Sequence, residues 1–151
     1  AVLSNLVKDY LEKNVSLPLL RLVNECHQLL RARPVGGGVV LNLLRLTPGK
    51  VFYLGIGDTH AYVQQTDFQK LTHYGGKVGD YDLPVMEVKT LSTQVGSRFI
   101  LCTDGIKEQI KAADAVRDFS TQRVAENVIS NYRRVSGDAT VLVLDYTPFA
   151  P

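Results

Sequence analysis

The chain has 151 residues, enough for one domain with a buried core, and its formal net charge is +2. Its hydrophobic content of 45% and charged content of 21% are typical of a folded globular domain. No apolar run approaches the ~20 residues that span a bilayer, and the seventeen basic residues form no run. The composition therefore predicts no membrane segment and no nucleic-acid partner.

The two cysteines point to a reducing environment. Cys26 and Cys102 lie in apolar surroundings, the first in a predicted helix and the second in a predicted strand. Such residues are typical of reduced core positions rather than of a disulfide framework. With three scattered histidines they offer no zinc-binding spacing. We expect a cytoplasmic protein.

The first half of the chain predicts two helices followed by strands. Apolar residues at helical spacing indicate a helix that ends at Asn14. Ser16 is placed to cap a second, leucine-rich helix with Pro18 in its first turn. Pro34 and three successive glycines end that helix with a flexible join over residues 31–38. Strands are then predicted over residues 39–46, 51–56, 61–65 and 68–73.

The second half returns from strands to helices. A loop rich in glycine and aspartate covers residues 74–83, and a half-buried strand follows over residues 85–91. The remaining predicted elements are a buried strand, two helices and a last strand, over residues 98–103, 106–113, 121–134 and 140–146. Segregated blocks of this kind predict an α+β layered fold. Without an internal repeat or a long linker, we expect a single domain over residues 1–151.

One acidic residue stands out at the end of the most hydrophobic strand. Asp104 follows residues 98–103 directly, and Gly105 comes next. A carboxylate held at the rim of a sheet suits a hard divalent cation such as Mg²⁺ or Mn²⁺. An ordinary Asp-Gly turn explains the same dipeptide. Taken alone, the motif leaves both interpretations open.

Three motifs in a fixed order resemble a known family. Residues 53–63 contain a Gly-Asp hairpin, residues 99–105 end in Thr-Asp-Gly, and residues 136–144 open a last strand with Asp-x-Thr. This order resembles the metal-dependent protein phosphatases of the PP2C type. It is most similar to their compact bacterial branch, which acts on phosphoserine and phosphothreonine in sigma-factor regulators. The resemblance covers the chain from the first helix to Tyr146, and it implies an α-β-β-α sandwich with a metal site at one edge of the two sheets.

The resemblance also implies a ligand set for two Mn²⁺ or Mg²⁺ ions. Asp104 matches a carboxylate that binds a bridging or second metal, and such a cation pair activates water for in-line attack on a phosphate ester. In the family, the last strand opens with Asp-Asp or Asp-Asn, and the first of these two residues is the usual ligand. Here Gly137 occupies that position and Asp138 follows. Either Asp138 takes over through a small loop shift, or the site is depleted, or Asp138 is only a turn residue.

Other polar residues near these motifs receive weaker assignments. The resemblance makes Asp58 part of a structural hairpin beneath the site rather than a ligand. His60 is expected to point into solvent or onto a neighbouring strand, without a catalytic role. His73 and Tyr74 border the glycine loop and are candidates for lining a substrate groove.

The functional hypothesis is a metal-dependent protein serine/threonine phosphatase acting on a phosphorylated bacterial signalling regulator. It resembles the feedback phosphatase of the stress-signalling complex, which resets STAS-type regulators, or the SpoIIE-type branch, and we expect a monomer. The family's first ligands lie on a strand and an Asp-Gly turn before the first long helix. The chain starts at Ala1 inside a helical pattern, so we expect those ligands to belong to a missing N-terminal part. The alternative is a catalytically inactive PP2C-like regulatory module.

Overall fold

The computed structural model describes residues 2–34, 36–93 and 96–147. In this part of the chain, two helices come first, and six strands and a short 3-10 helix follow. A third helix then precedes the seventh strand. In chain order the elements are α1 (Val2–Lys13), α2 (Leu19–Arg31), β1 (Leu41–Thr47), β2 (Lys50–Ile56), β3 (Thr59–Gln64), β4 (Phe68–Leu71), β5 (Lys89–Ser92), β6 (Ser97–Thr103), the 3-10 helix (Ala112–Ala115), α3 (Thr121–Tyr132) and β7 (Val141–Tyr146).

The strands form two antiparallel sheets. One sheet has the order β1-β2-β5 and the other has the order β4-β3-β6-β7. Strands β2 and β3 are consecutive in the chain but lie in different sheets, so the turn at residues 57–58 carries the chain from one sheet to the other. Strand β6 lies between β3 and β7, and its last residue, Thr103, pairs with Thr59.

Three hydrophobic clusters show that the sheets and helices form four layers. The first cluster joins α1 and α2 to the outer face of the β1-β2-β5 sheet, and it contains Leu22, Cys26 and Leu54. The second lies between the two sheets and contains Tyr53, Val63 and Phe99. The third packs the other sheet against α3, with side chains such as Ile100, Val124 and Val128. The order of layers is therefore helix, sheet, sheet, helix, as the sequence predicted.

The strand sequences explain this layering. Successive side chains of a strand point to opposite faces of its sheet. In β6, Phe99 faces the other sheet, whereas Ile100 and Cys102 face α3. In β2, Tyr53 faces the other sheet and Leu54 faces the N-terminal helices. Strands that are apolar on both faces are those of central layers, buried on both sides.

Several local predictions are wrong. The predicted helix over residues 106–113 is an irregular segment with only the 3-10 turn at its end. Ile106 and Ile110 of this segment are buried as members of the third cluster. Helix α2 begins after Pro18, and no side chain caps it, so Ser16 is not its cap. The strand expected over residues 85–91 is confined to Lys89–Ser92.

Some expectations extend past the described residues. Ala1, Val35, Gln94, Val95 and residues 148–151 lie outside them, and they fall within the single domain predicted over residues 1–151. Every helix in the described part of the chain is too short or too polar to cross a lipid bilayer.

Candidate functional site

The ends of β6 and β7 bring the two sequence-predicted acidic residues to one edge of the four-stranded sheet. The amide of Thr103 donates to the carbonyl oxygen of Thr140 at 3.1 Å, and the amide of Thr140 donates to Thr103 Oγ1 at 2.9 Å. A Cβ atom on Gly105 would lie 2.1 Å from the carbonyl oxygen of Asp138. Only glycine permits this approach, so the chain around Asp104 and the chain around Asp138 are in direct backbone contact.

A second set of bonds fixes the backbone of this edge. Arg134 donates from Nε to the carbonyl oxygen of Asp104 at 2.7 Å, and its amide donates to the carbonyl oxygen of Gly105 at 2.8 Å. The side chains of Asp104 and Asp138 are exposed. Within the described residues neither carboxylate accepts a hydrogen bond or forms an ion pair. The edge therefore has a fixed backbone and two open carboxylates.

These carboxylates suit Mg²⁺ or Mn²⁺ only as part of a ligand set. Both are hard oxygen donors on rigid supports, which such cations prefer. Mg²⁺ requires about six oxygen ligands, of which two carboxylates and waters supply some. Among the described residues, no third acidic or histidine side chain completes a cluster with Asp104 and Asp138. Their assignment as metal ligands stays a prediction.

The turn before β3 lies next to the same edge. Thr59, the first residue of β3, pairs with Thr103, the last residue of β6. Asp58, just before β3, therefore lies beside Asp104, just after β6. Asn42 supports this turn: its Oδ1 accepts from Tyr53 Oη at 2.8 Å and from Thr59 Oγ1 at 3.1 Å. The side chain of Asn42 thus ties β1, β2 and the start of β3 together. Sequence reasoning missed Asn42, because nothing local distinguishes it from any polar residue on a strand.

An open cavity of about 430 Å³ adjoins the turn. Gly57 in the turn has φ near +90°, and the cavity wall continues into the glycine-rich loop. His73 lines this cavity, whereas Tyr74 lines a different cavity beside Glu87, and their role in a substrate groove stays a prediction. The lining residues are Gly57, Asp58, His73, Gly75, Gly76, Lys77, Asp80 and Tyr81.

His60 is not in solvent; it is 1% exposed, on the face of β3 that looks away from the other sheet. Its Nδ1 lies 3.2 Å from Oε1 of Glu108, which also forms an ion pair with Lys70. The ring of His73 stands edge-on to that of His60, with centroids 6.1 Å apart. Burial lowers the pKa of His60, although the Glu108 carboxylate opposes this effect, and the imidazole is therefore neutral near pH 7.

Glu108 reaches this position from the irregular segment after β6. The hydrogen bond from Lys70 holds the pKa of Glu108 below its usual range, so its carboxylate is ionised. Sequence reasoning missed the contact between Glu108 and His60. Glu108 lies in the segment over residues 106–113, for which the sequence predicts a helix. A residue 48 positions beyond His60 in the sequence offers no local signal of the contact.

The cysteines are buried and free. Burial raises the pKa of the Cys26 thiol to about 11 and that of Cys102 to about 12. Both thiols are therefore protonated near pH 7, and neither is an activated nucleophile.

Sequence comparisons found no matching family model and no matching curated protein. Several solved structures are similar in fold, among them the following three. A chain from the bacterial stressosome, a modular system adapted to control secondary messenger signalling, is 19% identical with a TM-score of 0.80, over 97% of this chain and 77% of the other. RsbX, solved in complex with magnesium, is 18% identical with a TM-score of 0.73, over 95% of this chain and 71% of RsbX.

The third is the serine/threonine phosphatase PstP/Ppp of Mycobacterium tuberculosis. It is 16% identical with a TM-score of 0.71, and the match covers 97% of this chain and 82% of the phosphatase. At such low identity these likenesses establish a common fold. They do not by themselves transfer an activity to this chain.

Proposed function

We propose that this chain, which has the fold of the PP2C-type phosphatases, hydrolyses phosphoserine or phosphothreonine on a protein with the help of Mn²⁺ or Mg²⁺. One observation carries the proposal. At the edge of the four-stranded sheet, glycine-mediated backbone contact holds the segments of Asp104 and Asp138 together while their carboxylates stay open. The backbone of this edge is fixed, whereas the two exposed carboxylates form no hydrogen bond or ion pair within the described residues and are accessible to a cation.

The residues of this edge have distinct roles in the proposed reaction. Asp104 and Asp138 would hold the cation, and Arg134 keeps the backbone of Asp104 in place through the carbonyl contact. A divalent cation bound there supplies Lewis-acid activation of water and neutralises phosphate charge. Lys77 lies in the wall of the adjoining cavity beside Asp58 and Asp80, so it would contact a phosphate locally and does not make the cavity positive overall.

Hydrolysis of a phosphoserine protein in the presence and absence of Mn²⁺ tests the proposal. We expect phosphate release that requires the metal and stops on chelation. An Asp104→Asn variant should lose this activity, whereas Asp67→Asn, an exposed aspartate in the turn between β3 and β4, should keep it. Turnover that survives chelation would overturn the metal-dependent mechanism.

The substrate class follows from the structural neighbours as a proposal. RsbX and a stressosome chain are among the similar structures. We infer a phosphorylated regulator of bacterial stress signalling, of the STAS type, as the partner of a monomeric cytoplasmic protein. Comparison of a phosphorylated STAS domain with an unrelated phosphoserine protein tests this inference. Equal rates on both would contradict it.

A second candidate function is a PP2C-like module without catalysis. It is favoured by Gly137, which stands where the family has a ligand, and by the lack of a third ligand beside Asp104 and Asp138 in the described residues. Calorimetric titration with Mn²⁺ separates the two candidates. Failure of Mn²⁺ to bind at millimolar concentration would favour the inactive module, and binding that Asp104→Asn abolishes would favour the enzyme.

A further inference from the structure

Three side chains from separate parts of the chain converge on the outer face of the four-stranded sheet. Asp58 comes from the turn before β3, His60 from β3 itself, and Glu108 from the segment after β6. One ligand atom from each of them lies within 4.8 Å of the others. The group is distinct from Asp104 and Asp138, neither of which belongs to it.

His60 shows that this cluster is more than a patch of surface acids. Its ring is 1% exposed, and among the described residues neither ring nitrogen has a hydrogen-bond partner. Although Glu108 Oε1 lies 3.2 Å from Nδ1, the two groups do not form a hydrogen bond. A buried polar group without a partner costs free energy, and a bound ion removes part of that cost by coordinating one of the two unpaired nitrogens.

The distance between His60 and Glu108 fits two ligands of one metal ion. Zinc binds histidine nitrogen at about 2.0–2.1 Å and carboxylate oxygen at about 2.0–2.2 Å, in tetrahedral geometry. Two such ligands are about 3.3 Å apart across the ion, close to the observed 3.2 Å. An imidazole with two carboxylates is a donor set that favours a transition metal over Mg²⁺.

We propose that Asp58, His60 and Glu108 form a binding site for a divalent transition metal ion of the Zn²⁺ class. Asp58 also lines the open cavity beside the glycine loop. A fourth coordination position is thereby available to water or to an anionic ligand from the cavity. The site does not depend on the proposed phosphatase activity, because it shares no ligand with Asp104 and Asp138.

Lys70 acts as a competitor for the same carboxylate. Its ammonium group pairs with Oε2 of Glu108, which partly neutralises the cluster. Metal binding would weaken this pair because the ion needs the same negative charge. Replacement of Lys70 by methionine should therefore strengthen metal binding, an effect opposite to that of losing a ligand.

The test is calorimetric titration with Zn²⁺, followed by X-ray absorption at the zinc edge. We expect a 1:1 complex with a nitrogen ligand at about 2.0–2.1 Å. Asp58→Asn and Glu108→Gln are close in shape to the native residues and lie at exposed positions. Each should weaken Zn²⁺ binding at least tenfold, since even residues that only support a ligand contribute about 10–100-fold. His60→Asn should abolish the nitrogen signal, and its folding is checked by circular dichroism.

Two controls make the outcome specific. His73→Asn removes the neighbouring imidazole outside the ligand set and should leave Zn²⁺ affinity unchanged. Asp104→Asn should also leave it unchanged. Zn²⁺ binding that resists both Asp58→Asn and Glu108→Gln, or that Asp104→Asn removes, would overturn the proposal, as would the absence of binding by the native chain. Because the readout is metal binding, its failure is distinguishable from a failure of phosphatase activity.

Discussion

The two ends of strand β6 carry charged residues in opposite environments, one buried and hydrogen-bonded and the other exposed. At its start, Arg98 is 2% exposed and donates to Asp145 from Nε at 2.6 Å and from Nη2 at 2.8 Å. The same guanidinium donates to the carbonyl oxygens of Val116 and Phe119. At the other end, Asp104 has a firmly held backbone and an exposed carboxylate.

This contrast separates architecture from chemistry. The hydrogen bonds of Arg98 join β6, β7 and the loop before α3, and they engage all three guanidinium nitrogens within the fold. Asp104 contributes only its backbone to the fold, and its carboxylate is free for a cation. We therefore expect changes at the start of β6 to affect stability, and changes at its end to affect function.

Replacement of Arg98 should give the largest loss of stability. Arg98→Met keeps much of the side-chain volume, but it leaves the carbonyl oxygens of Val116 and Phe119 without their donor. We expect a decrease of about 3 kcal/mol in the free energy of unfolding, measured by urea denaturation. The matched control is Arg123→Met, because Arg123 is exposed and stacks on Phe119. Equal losses from both variants would contradict the structural role of Arg98.

Gly105 is the next most sensitive position. In Gly105→Ala, the new Cβ would meet backbone atoms of Asp138 and Ala139, which cannot rotate away. We expect a loss of about 1–3 kcal/mol, together with reduced metal-dependent activity, because the two edge segments are forced apart. Gly36→Ala is the control, since a Cβ at Gly36 would have no atom within 4 Å and its backbone needs no positive φ. A stable and active Gly105→Ala would show that the two segments are not held in close backbone contact.

At acidic pH, the contribution of the Arg98–Asp145 pair to the free energy of unfolding should decrease over a defined pH range. The hydrogen bond from Arg98 lowers the pKa of Asp145 in the folded state, and Arg117 adds to this effect. Its contribution to stability is therefore present above the unfolded pKa of about 3.9 and is lost as the pH falls through the lower folded value. Asp145→Asn should flatten the pH dependence of unfolding below about pH 4. The pKa of Glu108 is also lowered, by Lys70, so this pair adds a pH dependence of unfolding in the same direction. Lys70→Met removes the pair and therefore measures its share of that pH dependence.

The sequence was sufficient to predict most of the strands, and the family resemblance implied the layers. Continuous apolar runs identified β2 and β6, and the order of the Gly-Asp, Thr-Asp-Gly and Asp-x-Thr motifs carried the family resemblance that implied the sandwich. Apolar runs and turn motifs are local signals, because each of them depends only on residues that are neighbours in the sequence. The resemblance assigns Asp104 and Asp138 to one metal site; the structure brings the backbones of their segments into contact, and their role as ligands stays a prediction.

The surroundings of His60 could not be predicted in the same way. Its burial depends on β3 being a central strand and on Glu108 folding back over it. The sequence predicts a helix over residues 106–113, yet the amide of Lys107 donates to the carbonyl oxygen of Tyr132 at the end of α3. Tertiary hydrogen bonds of this kind override local periodicity, and they are absent from any short window of sequence.

The most direct test of the central claim is the variant Asp104→Ala, in which stability and phosphatase rate are measured with and without Mn²⁺. We expect a loss of metal-dependent hydrolysis with a change in unfolding free energy of less than about 0.5 kcal/mol, or a slight gain, because only an exposed carboxylate is removed. Asp67→Ala, in the turn between β3 and β4, is the control and should keep the activity. An Asp104→Ala protein that is active but destabilised by about 0.5–2 kcal/mol, as expected for a lost turn residue, would contradict the account.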